Sequence, residues 1–148
     1  MLALAPRLTI GVAPWRDPDA VREAVTGWIR DSLAQADTHN HAVLVAQSQD
    51  VIVGVVTIGT RRHFTGEVDA YVGELVVADG EERQGVGRLL MRAAEQWARD
   101  RGLRNLTLET GAANHGARAF YRSLGYLEEG VRLTKAVTPS DANSPLAS

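Results

Sequence analysis

The sequence contains no cysteine and no long apolar run. Without thiols, disulfide bonds, cysteine-based metal sites and cysteine nucleophiles are excluded. No apolar stretch approaches the ~18 residues from which a membrane span is recognised. The apolar start, Met1 to Pro6, has neither a basic beginning nor a long uninterrupted apolar segment, so we do not expect a signal peptide there. We therefore expect a cytoplasmic protein.

An excess of charge of one sign is also missing. The chain has 16 basic and 18 acidic residues, which gives a net charge of −2. This balance offers no electrostatic reason to expect nucleic acid or an anionic membrane as a partner. The 148 residues, 45% of them hydrophobic, are enough for one domain with its own core. We expect that domain over residues 1–137 and a disordered tail over residues 138–148, which have little to bury.

The apolar pattern changes its period twice along the chain. Leu8 to Val12 is a candidate first strand, and Asp17-Pro18 is typical of a helix start. The next segments are rich in β-branched residues and are expected to be strands, with Gln49-Asp50 as a hairpin turn. These predicted strands are Ala42 to Gln47, Val51 to Ile58 and Tyr71 to Val77.

A strong helical pattern follows the third predicted strand. It predicts a helix that stops at Gly102 and has a single apolar stripe. The stripe consists of Val86, Leu89, Leu90, Ala93, Ala94, Trp97 and Ala98. A strand over residues 106–109, a short helix between Asn114 and Gly125, and a closing hairpin around Glu129-Gly130 are expected after it. The order of elements predicts a mixed α/β domain.

The turn at residues 83–88, Arg83-Gln84-Gly85-Val86-Gly87-Arg88, precedes this amphipathic helix. A helix N-terminus exposes N–H groups and the positive end of its dipole, and glycine lets a phosphate approach the backbone closely. The glycines could equally serve only a tight strand-to-helix turn. A Rossmann motif is less favoured because Leu90 stands at the third glycine position, and the G-K-[S/T] ending of a Walker loop is missing.

Three segments together resemble the GNAT superfamily of acyl-CoA N-acyltransferases, in the order and spacing of that family. They are Leu75-Val76-Val77, the turn at residues 83–88, and Asn114-x-x-Ala117-x-x-Phe120-Tyr121-x-x-x-Gly125-Tyr126. The resemblance covers about Val51 to Val137. It implies a central, mostly antiparallel sheet with splayed middle strands, flanked by helices. It also implies acetyl-CoA as co-substrate, direct attack by a primary amine in a ternary complex, no metal, and a homodimer as one common assembly.

The resemblance assigns acetyl-CoA contacts to particular residues. In the family, the backbone of the strand pairs with the pantetheine arm, and the amides of the turn hold the pyrophosphate. The corresponding residues here are Leu75, Val76, Val77, Arg83, Gln84, Gly85, Val86, Gly87, Arg88, Asn114 and Tyr121. Asn114 could also serve as a helix cap alone. Glu82 stands where the family usually has Arg or Gln, so two adjacent carboxylates, Glu81 and Glu82, are expected near the phosphates.

The catalytic residues that the resemblance implies are Tyr121, Glu109 and Glu74. Tyr121 matches the tyrosine that protonates the departing thiolate, although a packed core aromatic would also explain it. Glu109 matches a base position of protein-modifying members and is narrowly preferred to Glu74 as proton acceptor. Either carboxylate could instead be structural or attract a cationic acceptor, and a water-relayed path could use neither.

One alternative to this interpretation comes from another functional class, and one further signal is discounted. A non-catalytic acyl-CoA-binding regulatory module would keep the same fold and the same cofactor residues without turnover. The pair His39-x-His41 is a weak metal-binding signal, because no acidic or cysteine ligand stands beside it. The acceptor is left open as a small-molecule amine or an amine of a peptide or protein.

Overall fold

Three helices and four strands form within residues 12–34, 36, 39–82 and 84–137, which are the residues that the computed structural model describes. In chain order they are α1 (Pro18–Ala34), β1 (His41–Ser48), β2 (Val51–Arg62), β3 (Val68–Val77), α2 (Val86–Asp100), β4 (Leu106–Leu108) and α3 (His115–Ser123). The strands form one sheet in the order β1-β2-β3-β4. The pairs β1–β2 and β2–β3 are antiparallel, and β3–β4 is parallel. The mixed α/β class with a mostly antiparallel sheet is confirmed.

The first hairpin closes at the predicted turn. Gln49 and Asp50 have φ angles of 48° and 64°. Two consecutive left-handed residues suit a two-residue hairpin because their twist matches that of the flanking strands. The second hairpin is longer than predicted, since β2 continues to Arg62, which pairs with Val68. The apolar pattern ends at Ile58, whereas ladder hydrogen bonds between the two backbones continue beyond it.

The helix α2 packs on one face of the sheet and supplies most of the main core. It begins at Val86, within the predicted turn. The predicted stop at Gly102, whose φ is 69°, is confirmed. The buried face of α2 differs from the predicted apolar stripe at one edge: Leu89 is 61% exposed, whereas Met91 is fully buried. Ala93 is exposed as well. The stripe follows the helical period, but the sequence did not show which flank of it faces the sheet.

The helix α1 begins at Pro18, as predicted, and lies on the opposite face of the sheet. Val56 and Ile58 belong to the cluster that contains α2. Thr57, between them on β2, therefore points to the other face. The side chain of Ser32 on α1 reaches Glu74 beside Thr57, which places α1 on that face. Two of its apolar side chains, Val25 and Ile29, are buried.

The predicted closing hairpin is not formed. Residues 126–137 contain no strand, and the side chains of Leu127 and Leu133 are 92% and 90% exposed. Their apolar alternation is typical of a strand, but a strand also needs a partner for its backbone groups. The segment is instead tied to α3, where Arg118 donates a 2.7 Å hydrogen bond to Glu128. The predicted first strand up to residue 11 and the tail at 138–148 lie outside the described residues.

Candidate active site

The sheet opens between β3 and β4. The two strands pair over a short stretch that ends at Val72 and Leu108, after which β4 stops. β3 continues to Val77 and keeps β2 on its other side. Within the described residues, no strand covers the outer edge of residues 73–77. The backbone groups along that edge can therefore pair with an extended ligand. The predicted acetyl-CoA strand lies on this edge and consists of Leu75, Val76 and Val77.

A left-handed glycine precedes α2. Gly85 is its N-cap residue, with a φ of 79°, and a Cβ on it would meet no protein atom within 4 Å. The first intrahelical hydrogen bond runs from the N–H of Leu89 to the carbonyl of Gly85 (3.0 Å). The earlier amides of an α-helix have no acceptor within the helix, so they are available to an anion. These amides belong to Val86, Gly87 and Arg88.

The rest of the predicted anion turn contributes less than expected. The N–H of Gln84 donates to the carbonyl of Glu81 at 3.1 Å, so this amide is already used within the turn. Arg83 lies outside the described residues. Glu82 and Arg88 are exposed. The backbone from Gly85 onward is thus the part of the turn that offers amides.

Gly87 marks the point where β3, α2 and α3 meet. A Cβ on Gly87 would stand 3.3 Å from Cζ of Phe120 on α3 and 3.7 Å from Cγ2 of Val77 on β3. The glycine therefore permits close packing of three elements, in addition to any contact of its amide with a ligand. The end of the open strand and the start of α2 are brought side by side at this point.

Asn114 caps α3, as predicted. Its side chain accepts a 3.1 Å hydrogen bond from the N–H of Ala117. An Asn cap satisfies one of the amides that the first helical turn leaves without a partner. The cap role expected from the sequence is therefore present.

Tyr121 packs in a row of aromatic side chains on α3 and after it. Its ring lies 5.2 Å from that of Phe120 and 5.8 Å from that of Tyr126, both in edge-on geometry. Burial raises the pKa of Tyr121 to about 12. The phenol is thus protonated at neutral pH, which is the form that can donate a proton. The neighbouring Tyr126 hydroxyl is engaged elsewhere, since it donates to Glu95 at 3.0 Å.

Glu74 lies half-buried on the open part of β3. Its carboxylate oxygen Oε2 accepts a hydrogen bond from the Thr57 hydroxyl, and Ser32 Oγ lies 3.4 Å from the same oxygen. Both partners are uncharged, and no arginine or lysine pairs with Glu74 among the described residues. A carboxylate held in this way keeps its charge available for a cationic or proton-bearing group.

Glu109 follows β4 at the same opening but has a charged partner. Its Oε1 lies 3.1 Å from a guanidinium nitrogen of Arg61. The guanidinium also stacks on the Tyr71 ring, 3.6 Å from the centroid. The pKa of Tyr71 is raised, first by burial and then by the charges of Glu109 and Glu74. Both predicted carboxylates therefore lie close enough to affect one phenol between them.

Comparison with known proteins decides the family. The model of the acetyltransferase (GNAT) family matches residues 9–126, which is more than half of the chain. The chain belongs to the GNAT acetyltransferase family. An aminoglycoside antibiotic 6'-N-acetyltransferase from Acinetobacter haemolyticus has the same fold, with a TM-score of 0.67 and 21% identity over 93% of this chain and 90% of that one.

Similar sequences carry the names of N-acetyltransferases, and one of these names states an acceptor, an aminoglycoside. N-acetyltransferase 8 of Homo sapiens is 32% identical over 87 residues, which cover 58% of this chain and 38% of that protein. Aminoglycoside N(6')-acetyltransferase type 1 of Klebsiella aerogenes is 28% identical over 116 residues, which cover 75% of this chain and 76% of that protein. The chain thus spans about two fifths of the length of the N-acetyltransferase 8 relatives.

Sequence reasoning missed two residues of the candidate site that bond to the predicted carboxylates instead of being proposed ligand contacts. Thr57, which is 4% exposed, and Arg61 each hold one of the two predicted carboxylates. A threonine inside the apolar run of β2 was the available signal for the first. The described residues include no group of three or more metal-ligating side chains, and they include no helix long and apolar enough to cross a membrane.

Proposed function

We propose that this GNAT protein is an N-acetyltransferase that moves the acetyl group of acetyl-CoA to a primary amine. The observation that carries the proposal is the edge of β3 at residues 73–77, which no described strand covers and which ends beside the first amides of α2, whose acceptors lie outside the helix. This combination offers one extended ligand both a strand to pair with and a helix N-terminus for its phosphates. Family membership supports acyl transfer as the chemistry.

Acetyl-CoA would lie along this path. We propose that the backbone of Leu75, Val76 and Val77 pairs with the pantetheine arm, and that the amides from Gly85 to Arg88 bind the pyrophosphate. The empty space around Gly85 suits the close approach of a phosphate. Arg83, Gln84 and Asn114 stay in the proposed contact set, with Gln84 acting through its side chain because its amide is already bonded.

The reaction needs one group that accepts a proton and one that donates it. We propose that Glu74 takes a proton from the acceptor ammonium, after which the free amine attacks the thioester carbonyl carbon. As the C–S bond breaks, Tyr121 donates its phenolic proton to the sulfur. The second proton of the new amide nitrogen restores the phenol, and Glu74 releases its proton to solvent. The sum is an amide, free CoA and one proton.

Glu74 is preferred to Glu109 as the proton acceptor in this proposal. The Arg61 guanidinium already pairs with Glu109 and would compete with an incoming ammonium for it. Among the described residues, the carboxylate of Glu74 has only hydroxyl partners. Glu109 remains in the site as a carboxylate that, with Arg61 and Tyr71, forms part of the wall facing the acceptor.

The acceptor is assigned only as a primary amine, of a small molecule or of a peptide or protein. One relative is named for aminoglycosides, and the half-buried Glu74 suits a cationic amine of that kind without selecting it. A homodimer and a cytoplasmic location stay predictions from the sequence.

Calorimetric titration with acetyl-CoA tests the proposed binding path. Wild-type protein is compared with Gly85→Ala and, as control, Gly80→Ala. Both glycines have a left-handed φ (79° and 85°) and empty space around a Cβ, so both variants should lose a similar ~1–2 kcal/mol of folding free energy. We expect only Gly85→Ala to weaken acetyl-CoA binding. Equal binding by all three proteins would contradict the proposed phosphate site.

Turnover separates the enzyme from a non-catalytic acyl-CoA-binding module. Release of CoA is followed with a panel of amines that includes aminoglycosides, polyamines and peptides. We expect acetylation of at least one amine and a drop in kcat of ~100-fold or more in Tyr121→Phe, because general acid catalysis contributes about that factor. Tight binding of acetyl-CoA with no turnover across the panel would favour the binding module.

A further inference from the structure

The carboxylate of Glu74 is held by a threonine that is buried beneath it. We infer that Thr57 is a positioning residue for this carboxylate, and that it fixes Oε2 so that Oε1 faces the acceptor amine. The inference rests on the proposed function, in which Glu74 accepts the proton. Thr57 itself touches neither substrate in this proposal and acts through Glu74.

The two residues form a closed pair of hydrogen bonds. The N–H of Glu74 donates to Thr57 Oγ1 at 2.9 Å, and the Thr57 hydroxyl donates to Glu74 Oε2. A hydroxyl has one proton to donate and can accept at the same time, so one side chain satisfies both groups. Thr57 is 4% exposed, so water cannot replace these bonds without opening the sheet. Backbone and carboxylate of Glu74 are thus fixed by the same oxygen atom.

A bulge in β3 creates the place for this pair. Val56 pairs with Leu75, whereas Ile58 pairs with Val72, so Thr57 stands opposite two residues, Gly73 and Glu74. A bulge of this kind redirects a side chain and is common beside active sites. A Cβ on Gly73 would lie 2.8 Å from Thr57 Oγ1. Glycine at position 73 therefore leaves the room that the threonine hydroxyl occupies.

The remaining contacts of Glu74 leave one oxygen open. Ser32 Oγ also approaches Oε2, at 3.4 Å, while Oε1 receives no hydrogen bond from any residue in the described part of the chain. Glu74 helps to raise the pKa of Tyr71, and the Arg61 guanidinium, which pairs with Glu109, lies over the Tyr71 ring. Since Tyr71 is neutral below its raised pKa and the guanidinium is balanced by Glu109, the hydroxyl of Thr57 is the principal donor to the carboxylate.

The two carboxylate oxygens of Glu74 therefore have different roles. The hydroxyl of Thr57 occupies Oε2 of Glu74, so Oε1 is the oxygen left for the proton of the amine. The hydroxyl also removes the rotation of the carboxylate that would otherwise have to be frozen in the transition state. Loss of the hydroxyl should therefore affect the amine half of the reaction and leave acetyl-CoA binding unchanged.

The test compares Thr57→Val, which has nearly the shape of threonine without its hydroxyl, with Thr57→Ser, which keeps it. We expect Thr57→Val to lower kcat/KM for the amine roughly 10- to 100-fold, the cost of one hydrogen bond to a charged group. The dissociation constant for acetyl-CoA should stay within about twofold of the wild-type value. Thr57→Ser should restore most of the rate. Thr107→Val is the matched control, because Thr107 bonds the Ala70 carbonyl and not Glu74.

The inference is overturned if Thr57→Val folds, binds acetyl-CoA and keeps the wild-type amine kinetics while Glu74→Gln is inactive. It is also overturned if Thr57→Ser fails to rescue, because shape and not the hydroxyl would then matter. A wild-type protein without turnover would contradict the proposed function instead. In that case carbon NMR of labelled glutamate carboxyls at neutral pH decides: we expect the Glu74 carboxyl resonance of Thr57→Val to differ from that of wild type, and that of Thr57→Ser to match wild type. Coincident resonances in all three proteins would refute the inference.

Discussion

The ring of Phe120 on α3 lies against Gly87 in the first turn of α2, so closely that a Cβ on Gly87 would stand 3.3 Å from Cζ of the ring. This contact joins the start of the helix that offers amides to the helix that carries Tyr121. The same position also meets Val77 at the end of the open strand. The candidate site is therefore assembled around a glycine, and the spacing of the residues proposed to contact acetyl-CoA depends on that glycine having no side chain.

A branched side chain at this position should separate the two helices. We expect Gly87→Val to lower the free energy of unfolding by ~1–3 kcal/mol through overpacking against Phe120. Gly116→Val is the matched control, since Gly116 is likewise the second residue of its helix and a Cβ there meets nothing within 4 Å. Urea denaturation of both variants measures the difference. Equal losses would mean that the helix position alone, and not the Phe120 contact, determines the cost.

The cap of α3 can be separated from its proposed contact with acetyl-CoA. Asn114→Ala removes the hydrogen bond to the Ala117 N–H and should cost ~1 kcal/mol of folding free energy. Asn114→Asp keeps a capping oxygen, so its thermal midpoint should stay near that of wild type. If Asn114 also contacts the cofactor through its amide NH₂ group, Asn114→Asp will differ from wild type in acetyl-CoA binding but not in stability. Weakened acetyl-CoA binding by a fully stable Asn114→Asp is the expected result, and unchanged binding would restrict Asn114 to capping.

The two carboxylates at the opening should differ in their effect on turnover. We expect Glu74→Gln to lower kcat/KM for the amine by ~100-fold or more, the usual contribution of a general base. Glu109→Gln breaks only a partly exposed pair with Arg61, worth ~0.2–1 kcal/mol, so its loss should stay within about tenfold. Initial rates at saturating acetyl-CoA measure both. The reverse order of effects would restore Glu109 as the proton acceptor.

Features of the fold that depend on residues adjacent in the sequence were predicted well. The left-handed turn at Gln49 and Asp50, the Asn114 cap and the stop at Gly102 each depend on a residue and its immediate neighbours. Such local preferences act in the chain before any tertiary contact forms.

Features that depend on a distant partner could not be predicted. Thr57 and Glu74 are 17 positions apart, and only the bulge in β3 brings the threonine opposite both Gly73 and Glu74. The alternation of Leu127, Val131 and Leu133 is typical of a strand, yet no described strand pairs with it. The spacing of apolar residues in a sequence indicates which face of a segment is apolar. Which other element packs on that face depends on the whole fold.

The buried phenol of Tyr121 should make stability fall at alkaline pH. Its pKa in the folded protein is about 12, above the ordinary value of 10, so the folded state holds the proton more tightly than the unfolded state. This contribution is complete below about pH 10 and is lost as the pH rises through about 12, at up to ~1.4 kcal/mol per pH unit. Tyr126, whose pKa is raised by burial and by Glu95, acts in the same direction.

Urea denaturation of wild type and Tyr121→Phe across this range isolates the effect. Below about pH 9 the difference in their free energies of unfolding should be constant, because both states keep the phenol protonated. Between about pH 10 and pH 11 the wild type should lose ~1 kcal/mol more than the variant. The variant keeps the packed ring, so the change in the difference reports the hydroxyl alone. If the free energies of unfolding of the two proteins change in parallel with pH through this range, the phenol is exposed to water in the folded protein. There would then be no reason to expect a proton donor shielded from water at this position.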